Sequence, residues 1–287
     1  MTAPFRPAPD ADHLDALARI ALDEAGLNLP PSKHPMMRAR LRRRLAESAT
    51  GDLAAYRRLV ESPSGAEERA RMVAALTTHV SHYFREPHHF QTLRERVLPP
   101  LIERARRGGR VRLWSAGCAR GQEAYSMALT LIDMMPEAPR FDIRILATDL
   151  DPAVIAAARQ PRLDPDDRDK IAPHQRNRYL QEVPDGLTVA PALGGLVRFE
   201  VQNLHRPFPA GSHFDVIFCR NVLIYFSKSG YEEVLLRLAG CLPPGGWLFL
   251  GHSERISGPA CTLFSRAGRT SFQRADADPF HPKGSLR

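Results

Sequence analysis

Cysteine is scarce in this chain, and its pattern does not suit an oxidising compartment. The four cysteines among 287 residues form no CxxC pair. They lie in or beside apolar runs, where free thiols behave as small buried apolar side chains. They are Cys118, Cys219, Cys241 and Cys261. We therefore expect free thiols and a reducing environment.

Long apolar runs are absent as well. No segment approaches the length of an uninterrupted membrane span. The N-terminal residues MTAPFRPAPDADH lack the apolar core of a secretion signal. We therefore expect a cytoplasmic protein with no direct membrane insertion.

Aromatic residues make up only 7% of the chain, which disfavours an aromatic-rich surface for nucleic acids. Basic residues are in excess, since 40 Lys and Arg stand against 32 Asp and Glu and give a net charge of +8. This excess indicates either an acidic partner or simple solubility, and charge alone does not separate the two. The apolar fraction of 43% is ample for a packed core in one large domain or two modest ones.

The first quarter of the chain has no strand signal. Apolar residues recur at helical spacing from His13 to about Leu76, and this predicts a small all-helical domain over residues 1–76. The second predicted helix, from about Ser32 to Glu47, carries a run of basic residues with no acid among them. The run comprises Lys33, Arg38, Arg40, Arg42, Arg43 and Arg44.

Leu41 and Leu45 supply the buried side of this basic helix. Arg40, Arg43 and Arg44 are therefore predicted to point away from it. Two interpretations remain open: a solvated face, or a docking surface for a negatively charged partner.

Strands and helices alternate after a connecting segment at residues 77–109. Predicted strands at 111–115 and 143–148 alternate with predicted helices at 122–134 and 152–159, and the apolar segment DVIFCRN follows at 215–221. The pattern predicts an α/β domain over residues 110–275, with a mostly parallel sheet and helices on both faces.

A small β insertion is predicted within this domain, at about residues 184–200. Short apolar runs at 187–190 and 197–201 flank the pair Gly194-Gly195 and indicate a hairpin. Residues 276–287 are predicted to form a flexible tail.

The segment VRLWSAGCARGQEAY, residues 111–125, places a glycine-bearing turn between a strand and a helix. Gly117 lets a ligand approach the backbone, and Asp149 at the tip of the next strand can bind a ribose diol. The turn lacks the GxGxxG spacing of dinucleotide sites and the GK[ST] of a P-loop. Glu123 at the helix start would repel a phosphate but suits a cationic ligand. S-adenosylmethionine, with a sulfonium and an ammonium group and no phosphate, fits these residues.

Motifs spread over nearly the whole chain resemble the CheR-type chemoreceptor glutamate O-methyltransferases. Each motif alone is modest, but their order and spacing together are specific. The motifs are LTTHVSHYFREPHHF (76–90), WSAGCARGQEAYSMA (114–128), ATDLD (147–151), Asn203-Leu204, FDVIFCRNVLIYF (214–226) and PGGWLFLGHSE (244–254).

The resemblance implies a Rossmann-like S-adenosylmethionine-dependent methyltransferase domain, preceded by a small all-α domain and a linker that enters the cofactor pocket. The linker contacts would be His79, Ser81 and Arg85, where the family has Asn, Thr and Arg. His79 is thus a departure in geometry and charge.

The resemblance also implies the remaining contacts. Glu123 would bind the methionyl part of the cofactor and Asp149 its ribose hydroxyls. Further contacts would come from Gly117 in the turn, from Asn203 and Leu204 beside the adenine, and from Asn221 and Val222 beneath the cofactor. Arg85 and Tyr225 would lie nearest the transferring methyl group and act in catalysis.

The implied reaction is methyl transfer from S-adenosylmethionine to glutamates of chemoreceptors, with S-adenosylhomocysteine as the product. The partner would be a cytoplasmic helical bundle whose acidic face meets Arg40, Arg43 and Arg44. We expect a monomer that uses no metal and binds no nucleic acid. The short insertion favours the absence of a tether for receptor tails.

Three alternatives stay open: a nucleic-acid methyltransferase, a domain that binds S-adenosylmethionine without turnover, and a methyltransferase acting outside chemotaxis. The first is disfavoured because no Asn/Asp-Pro-Pro-aromatic stretch stands at the strand end after Asn221.

Two short segments that contain histidine could suggest other chemistry. Adjacent His88 and His89 should point to different faces, which argues against a shared metal. Consecutive His252, Ser253 and Glu254 cannot converge as a catalytic triad. They are predicted to form a loop that closes the end of the sheet.

Overall fold

A computed structural model describes residues 10–276, apart from residues 161, 164, 185 and 210. The chain forms two compact units. One contains the residues through Thr78 together with Tyr225–Gly230, and the other contains His79–Ile224 and the residues from Tyr231 on. The predicted tail lies outside the described residues, apart from Asp276.

The first unit is helical. Its helices are α1 (Ala11–Ala25), α2 (His34–Glu47), α3 (Leu53–Glu61) and α4 (Ala66–Ala75). Helix α1 ends at Gly26, whose φ of 70° is a left-handed conformation that glycine adopts without strain. Helix α3 begins at Asp52, whose carboxylate accepts the N–H of Ala55 at 2.7 Å.

The core of the helical unit is formed by apolar side chains from all four helices, among them Leu14, Leu17, Met37, Leu41, Tyr56 and Met72, which are fully buried. The segment 225–230 joins this unit through its backbone. The N–H of Asn28 donates to the carbonyl of Tyr225 at 2.8 Å, and Leu27 forms an antiparallel bridge with Phe226.

The second unit is built on a seven-stranded sheet of order β6-β2-β1-β7-β8-β10-β9. Its strands are β1 (Val111–Ala116), β2 (Ile143–Asp149), β6 (Val197–Val201), β7 (Val216–Cys219), β8 (Trp247–Leu250), β9 (Phe264–Gly268) and β10 (Ser271–Arg274). Strands β6, β2, β1, β7 and β8 are parallel, and β10 and β9 are antiparallel at one edge.

Helices connect these strands in the order that the alternating pattern predicts. They are α5 (Pro87–Thr92), α6 (Leu98–Arg106), α7 (Gln122–Met134), α8 (Pro152–Ala158), α9 (Pro173–Tyr179), α10 (Pro191–Gly194) and α11 (Lys228–Gly240). The strand order reverses between β1 and β7, so the carboxyl ends of these two strands mark the switch point of the sheet. Ligands of open α/β sheets bind at this position.

A second, three-stranded sheet is present where the sequence predicts a hairpin. It consists of β3 (Arg162–Leu163), β5 (Gly186–Val189) and β4 (Leu180–Val183), all antiparallel. The prediction that residues 187–190 pair with residues 197–201 is wrong, because β6 instead extends the main sheet parallel to β2. A short apolar run fits either arrangement, and its parallel partner lies about fifty residues earlier in the chain.

Candidate active site

The turn after β1 holds the backbone tightly against its neighbours. The N–H groups of Gly117 and Cys118 both donate to the carbonyl of Thr148 at 2.8 Å. Gly117 has φ 87°, and a Cβ at this position would lie 2.3 Å from Cγ2 of Val222. Glycine is therefore required here by both conformation and space. The contact also places the turn beside the residues that follow β7.

Asp149, the last residue of β2, is buried and anchored to the same turn. Its Oδ2 accepts the N–H of Ala119 at 2.9 Å, and its Oδ1 accepts the N–H of Asp151 at 3.2 Å. A carboxylate has about four lone-pair positions, so Asp149 retains capacity for a ribose diol. The structure thus gives Asp149 the fixed orientation that the predicted role requires.

The linker reaches this carboxylate through His79. Nε2 of His79 lies 3.4 Å from Oδ1 of Asp149, and Nδ1 lies 3.9 Å from Oδ2 of Asp151. The side chain is 18% exposed. Ser81, two residues on, is half-buried. His79 therefore lies between the carboxylates of Asp149 and Asp151.

Glu123, in the first turn of α7, supplies a second buried carboxylate. Its Oε1 accepts the hydroxyl of Ser115 at 2.7 Å, and its Oε2 lies 3.3 Å from Nη1 of Arg220. Burial raises the pKa of Glu123, although Arg220 and Ser115 act in the opposite direction. A cationic ligand would stabilise the ionised form of this buried carboxylate. The ammonium group of S-adenosylmethionine would offset part of the desolvation cost.

Arg220, which follows β7, was not among the predicted site residues. Its side chain is 1% exposed, with Nη2 donating to the carbonyl of Arg85 and lying 3.8 Å from Oε2 of Glu86. Burial lowers the pKa of Arg220, while Glu123 and Glu86 raise it. Arg220 therefore connects the linker to the carboxylate at the start of α7. Nη1 of Arg85 donates to the carbonyl of Val80 at 3.1 Å within the linker.

Glu254 was also missed as a functional residue. Its buried carboxylate accepts four backbone N–H groups, from Gly251, Asn221, Leu223 and Val222, at 2.6 to 2.9 Å. Burial raises the pKa of Glu254, and the four N–H groups oppose this rise. Asn221 has φ 59°, so the carboxylate holds a strained turn at the end of β7.

Asn203 and Leu204 lie next to Asp149 in the fold. The N–H of Gln202 donates to the carbonyl of Asp149 at 2.9 Å, which carries the residues after β6 to the end of β2. Oδ1 of Asn203 accepts the N–H of His205 at 2.9 Å, and Leu204 is buried. Together with Gly117, Glu123 and Val222, these residues lie at the carboxyl ends of four neighbouring strands.

The helical unit contains the remaining predicted residues. Tyr225 lies in the segment that joins this unit, and its side chain is half-buried. Arg43 is 86% exposed and pairs with Glu47 at 2.6 Å.

The prediction that Arg40 and Arg44 point away from the buried side of α2 is wrong, because both bond to other residues of the helical unit. Arg44 is 14% exposed and forms two hydrogen bonds to Glu68, which also accepts the hydroxyl of Tyr56. Arg40 donates to the carbonyl of Leu76 and to Thr78. Arg44 bonds to Glu68, 24 positions later in the chain, and also pairs with Glu47, while Arg40 bonds to the backbone of Leu76, 36 positions later.

The histidine predictions have mixed outcomes. The rings of His88 and His89 are not on separate faces, because their centroids are 4.2 Å apart. Neighbouring helix residues differ by about 100°, and long rings can tilt toward each other across that angle. Nδ1 of His252 lies 3.2 Å from Oε1 of Glu86, while Glu254 turns to the backbone of residues 221–223.

Two family models match successive parts of the chain. Residues 79–272 match the family model described as the CheR methyltransferase, SAM binding domain. Residues 12–77 match the model described as the CheR methyltransferase, all-alpha domain. The chain belongs to the CheR methyltransferase family.

Curated relatives cover nearly the full length of the chain. A probable chemotaxis protein methyltransferase of Rhizobium etli is 41% identical over 87% of this chain and 95% of the relative. The chemotaxis protein methyltransferase of Salmonella typhimurium is 35% identical over 91% of this chain and 89% of the relative. The chemotaxis protein methyltransferase of Escherichia coli is 35% identical over 85% of this chain and 85% of the relative.

Family membership confirms the predicted fold, the enzyme class and the cofactor. The protein is an S-adenosylmethionine-dependent methyltransferase. The described residues fit this cofactor, since a buried carboxylate at a helix start suits its ammonium group and an anchored carboxylate at a strand tip suits its ribose. Among the residues that the structure describes, no helix combines the length and apolar character needed to cross a membrane.

Proposed function

We propose that this chain transfers the methyl group of S-adenosylmethionine to glutamate side chains of chemoreceptors. The products are glutamate methyl esters and S-adenosylhomocysteine. The proposal rests chiefly on the match to both CheR family models in the same chain, together with relatives named chemotaxis protein methyltransferase.

The chemistry requires alignment more than activation. S-adenosylmethionine, when bound, supplies a methyl group on a positive sulfur. A glutamate carboxylate has a pKa of about 4.3 and is already ionised at neutral pH, so no general base is needed. An O–C bond forms as the C–S bond breaks, and opposite charges are neutralised. A dry, well-aligned pocket favours this step, and alignment can contribute about 7–11 kcal/mol.

Arg85 and Tyr225 are the proposed catalytic residues. The guanidinium of Arg85 would hold the incoming carboxylate by a charge-assisted hydrogen bond. Its role is orientation, because a strong grip would reduce the nucleophilicity of the oxygens. Tyr225 would donate to the other oxygen or exclude water. The backbone of Arg85 is fixed by Arg220, which supports a precise position for this linker residue.

The proposed cofactor contacts come from the strand ends and from the linker. Glu123 would bind the ammonium group and Asp149 the ribose diol. His79 and Ser81 would contact the cofactor from the linker. Further contacts would come from Gly117, Asn203, Leu204, Asn221 and Val222, at the ends of the strands.

The receptor would dock on the helical unit. The proposed partner is a cytoplasmic helical bundle with an acidic surface. We propose that the enzyme acts on it as a monomer in the cytoplasm. Arg43 and its exposed neighbour Arg42 are the proposed docking residues on α2. Arg40 and Arg44 have partners within the unit and are proposed to position the helix.

Incubation with a labelled methyl donor tests this function. The enzyme is mixed separately with receptor cytoplasmic fragments and with RNA. We expect base-labile label on the receptor fragments, because methyl esters hydrolyse in base. Label on RNA, or tight cofactor binding with no transfer to any fragment, would contradict the proposal. A receptor fragment whose surface glutamates are changed to alanine serves as the control.

A further inference from the structure

Three potential metal ligands meet at the start of α5. Glu86, His88 and His89 each place one ligand atom within 4.8 Å of the other two. Glu86 stands directly before the helix with φ 58°, a conformation that is costly for a residue with a side chain. The chain is therefore held in an unusual conformation at the point where these three side chains converge.

The hydrogen bonds of His89 determine where its proton lies. Its side chain is completely buried, and Nε2 lies 3.2 Å from the carbonyl of Arg269 and 2.9 Å from the hydroxyl of Thr270. A carbonyl oxygen only accepts, so Nε2 carries the hydrogen and Nδ1 of the neutral ring presents a lone pair. A histidine ligand of a metal typically donates its other N–H to a carbonyl in this way.

The lone pair of His89 faces another acceptor. Nδ1 lies 3.6 Å from Oε2 of Glu86. Within the described part of the chain, neither atom has a hydrogen-bond partner, and Nε2 of His88 is also buried without one. Two buried acceptors at this distance are unfavourable unless a cation or a donor lies between them.

We propose that Glu86, His88 and His89 bind a divalent transition-metal ion of the zinc class. Two imidazole nitrogens and one carboxylate oxygen form a recognised ligand set, which leaves a fourth position open. Ligand atoms about 2.1 Å from a tetrahedral zinc ion lie about 3.4 Å apart. The 3.6 Å between Nδ1 and Oε2 is close to this value.

The charges around the cluster tolerate such an ion. Arg220 lies 3.8 Å from Oε2 of Glu86 and would repel the metal. Glu123 lies 3.3 Å from the same guanidinium and offsets that repulsion. Since Glu86 directly follows Arg85, a bound metal would hold the linker at a residue proposed to orient the substrate.

Metal titration of the full chain tests the proposal. Protein stripped with a chelator is titrated with zinc chloride in competition with a chromophoric chelator, and separately with cobalt chloride. We expect one equivalent of tightly bound metal, visible d–d absorption from cobalt, and a higher unfolding temperature with zinc. His88→Gln and Glu86→Gln should each weaken binding by at least about tenfold and abolish the thermal shift.

His174→Gln is the matched control. This histidine is exposed at the start of α9, 3.3 Å from Asp133, and its loss should leave zinc affinity unchanged. Unfolding of the metal-free variants shows whether each one folds. If the wild-type protein takes up no more zinc than the double variant Glu86→Gln/His88→Gln, the metal site is refuted. Methyl transfer to receptor fragments is measured in a separate assay. Failure of the metal site can therefore be distinguished from failure of the proposed function.

Discussion

Glu254 links two strand ends that have no direct covalent connection near the site. Its carboxylate accepts N–H groups from Gly251, after β8, and from residues 221–223, after β7. Only a group with several acceptor positions and no donor can satisfy all four N–H groups. The backbone of Asn221 and Val222 is thus set by a residue that need not touch the cofactor.

Glu254→Gln should therefore perturb the site through the backbone. The amide of glutamine turns two hydrogens toward N–H donors, so at least one buried hydrogen bond is lost. We expect a decrease of about 1–3 kcal/mol in the free energy of unfolding and weaker binding of S-adenosylhomocysteine. Chemical denaturation and calorimetry measure the two effects. Glu233→Gln, at an exposed residue of α11, should change neither quantity, and equal behaviour of the two variants would contradict this role.

The raised pKa of Glu123 predicts how cofactor affinity depends on pH. Burial raises its pKa above the ordinary value of 4.5, so the carboxyl group takes up a proton at a higher pH than a free glutamate. The protonated group cannot pair with the ammonium group of the cofactor. The affinity for S-adenosylhomocysteine should therefore be highest at pH values above the raised pKa, and it should fall as the pH decreases through that pKa.

Calorimetry over a pH series with S-adenosylhomocysteine checks this expectation. In Glu123→Gln, affinity at neutral pH should be lower, and the decline that begins above pH 4.5 should be smaller. A wild-type affinity that stays constant down to the ordinary pKa of glutamate would contradict the assigned contact.

The residues of the site differ in how far the sequence reveals them. Gly117, Glu123 and Asp149 stand at fixed places in a strand–turn–helix–strand pattern, and that pattern alone predicts their neighbourhood. Arg220 and Glu254 act through backbone partners at separations of 135 and about 33 residues. No local pattern reports such partners, because they exist only after the sheet has formed.

The basic helix α2 shows the same limit for a whole element. Helical periodicity correctly predicts that Leu41 is buried. The periodicity does not report that Glu68 on α4 approaches Arg44, since the acidic partner lies outside the basic window. A similar ambiguity affects β6, whose apolar run fits a hairpin as well as a parallel edge strand.

The helix before β1 shows how an element accommodates adjacent prolines. Pro99 and Pro100 do not end it, because helical structure runs from Pro87 to Arg106. A π-helical stretch at Leu93–Val97 lies immediately before the prolines. The prolines stand in the first turn of α6, where the N–H groups that proline lacks need no partner within the helix.

Loss of Arg44 should loosen the packing of α2 on α4. Arg44→Met keeps the apolar stem but deprives Glu68, which is buried beside Tyr56, of the two hydrogen bonds that Arg44 donates. We expect the free energy of unfolding to fall by about 1–3 kcal/mol. Arg43→Met, whose exposed ion pair contributes little, should change it by less than about 0.5 kcal/mol. Urea denaturation of both variants gives the comparison, and similar losses would contradict a structural role for Arg44.

At the scale of the whole molecule, the charge of the chain bears on how a receptor is found. The net charge of +8 gives a general attraction to acidic surfaces, which is weakened by salt. A localised docking surface differs from this general attraction, because changing a few exposed residues should remove most of the effect. The exposed pair Arg42 and Arg43 on α2 is suited to this test.

Arg42→Glu combined with Arg43→Glu should impair methylation of receptor fragments and leave cofactor affinity intact. Charge reversal at a docking surface acts mainly on association, so the loss should be greatest at low salt and shrink at moderate salt. Initial rates of base-labile methyl incorporation at two salt concentrations, with calorimetry of S-adenosylhomocysteine binding, provide the measurement. The matched control reverses Arg106 and Arg107, an exposed basic pair on and just beyond α6, and so changes the net charge equally. If both double variants lose activity to the same extent, attraction depends on total charge and α2 is not the docking surface.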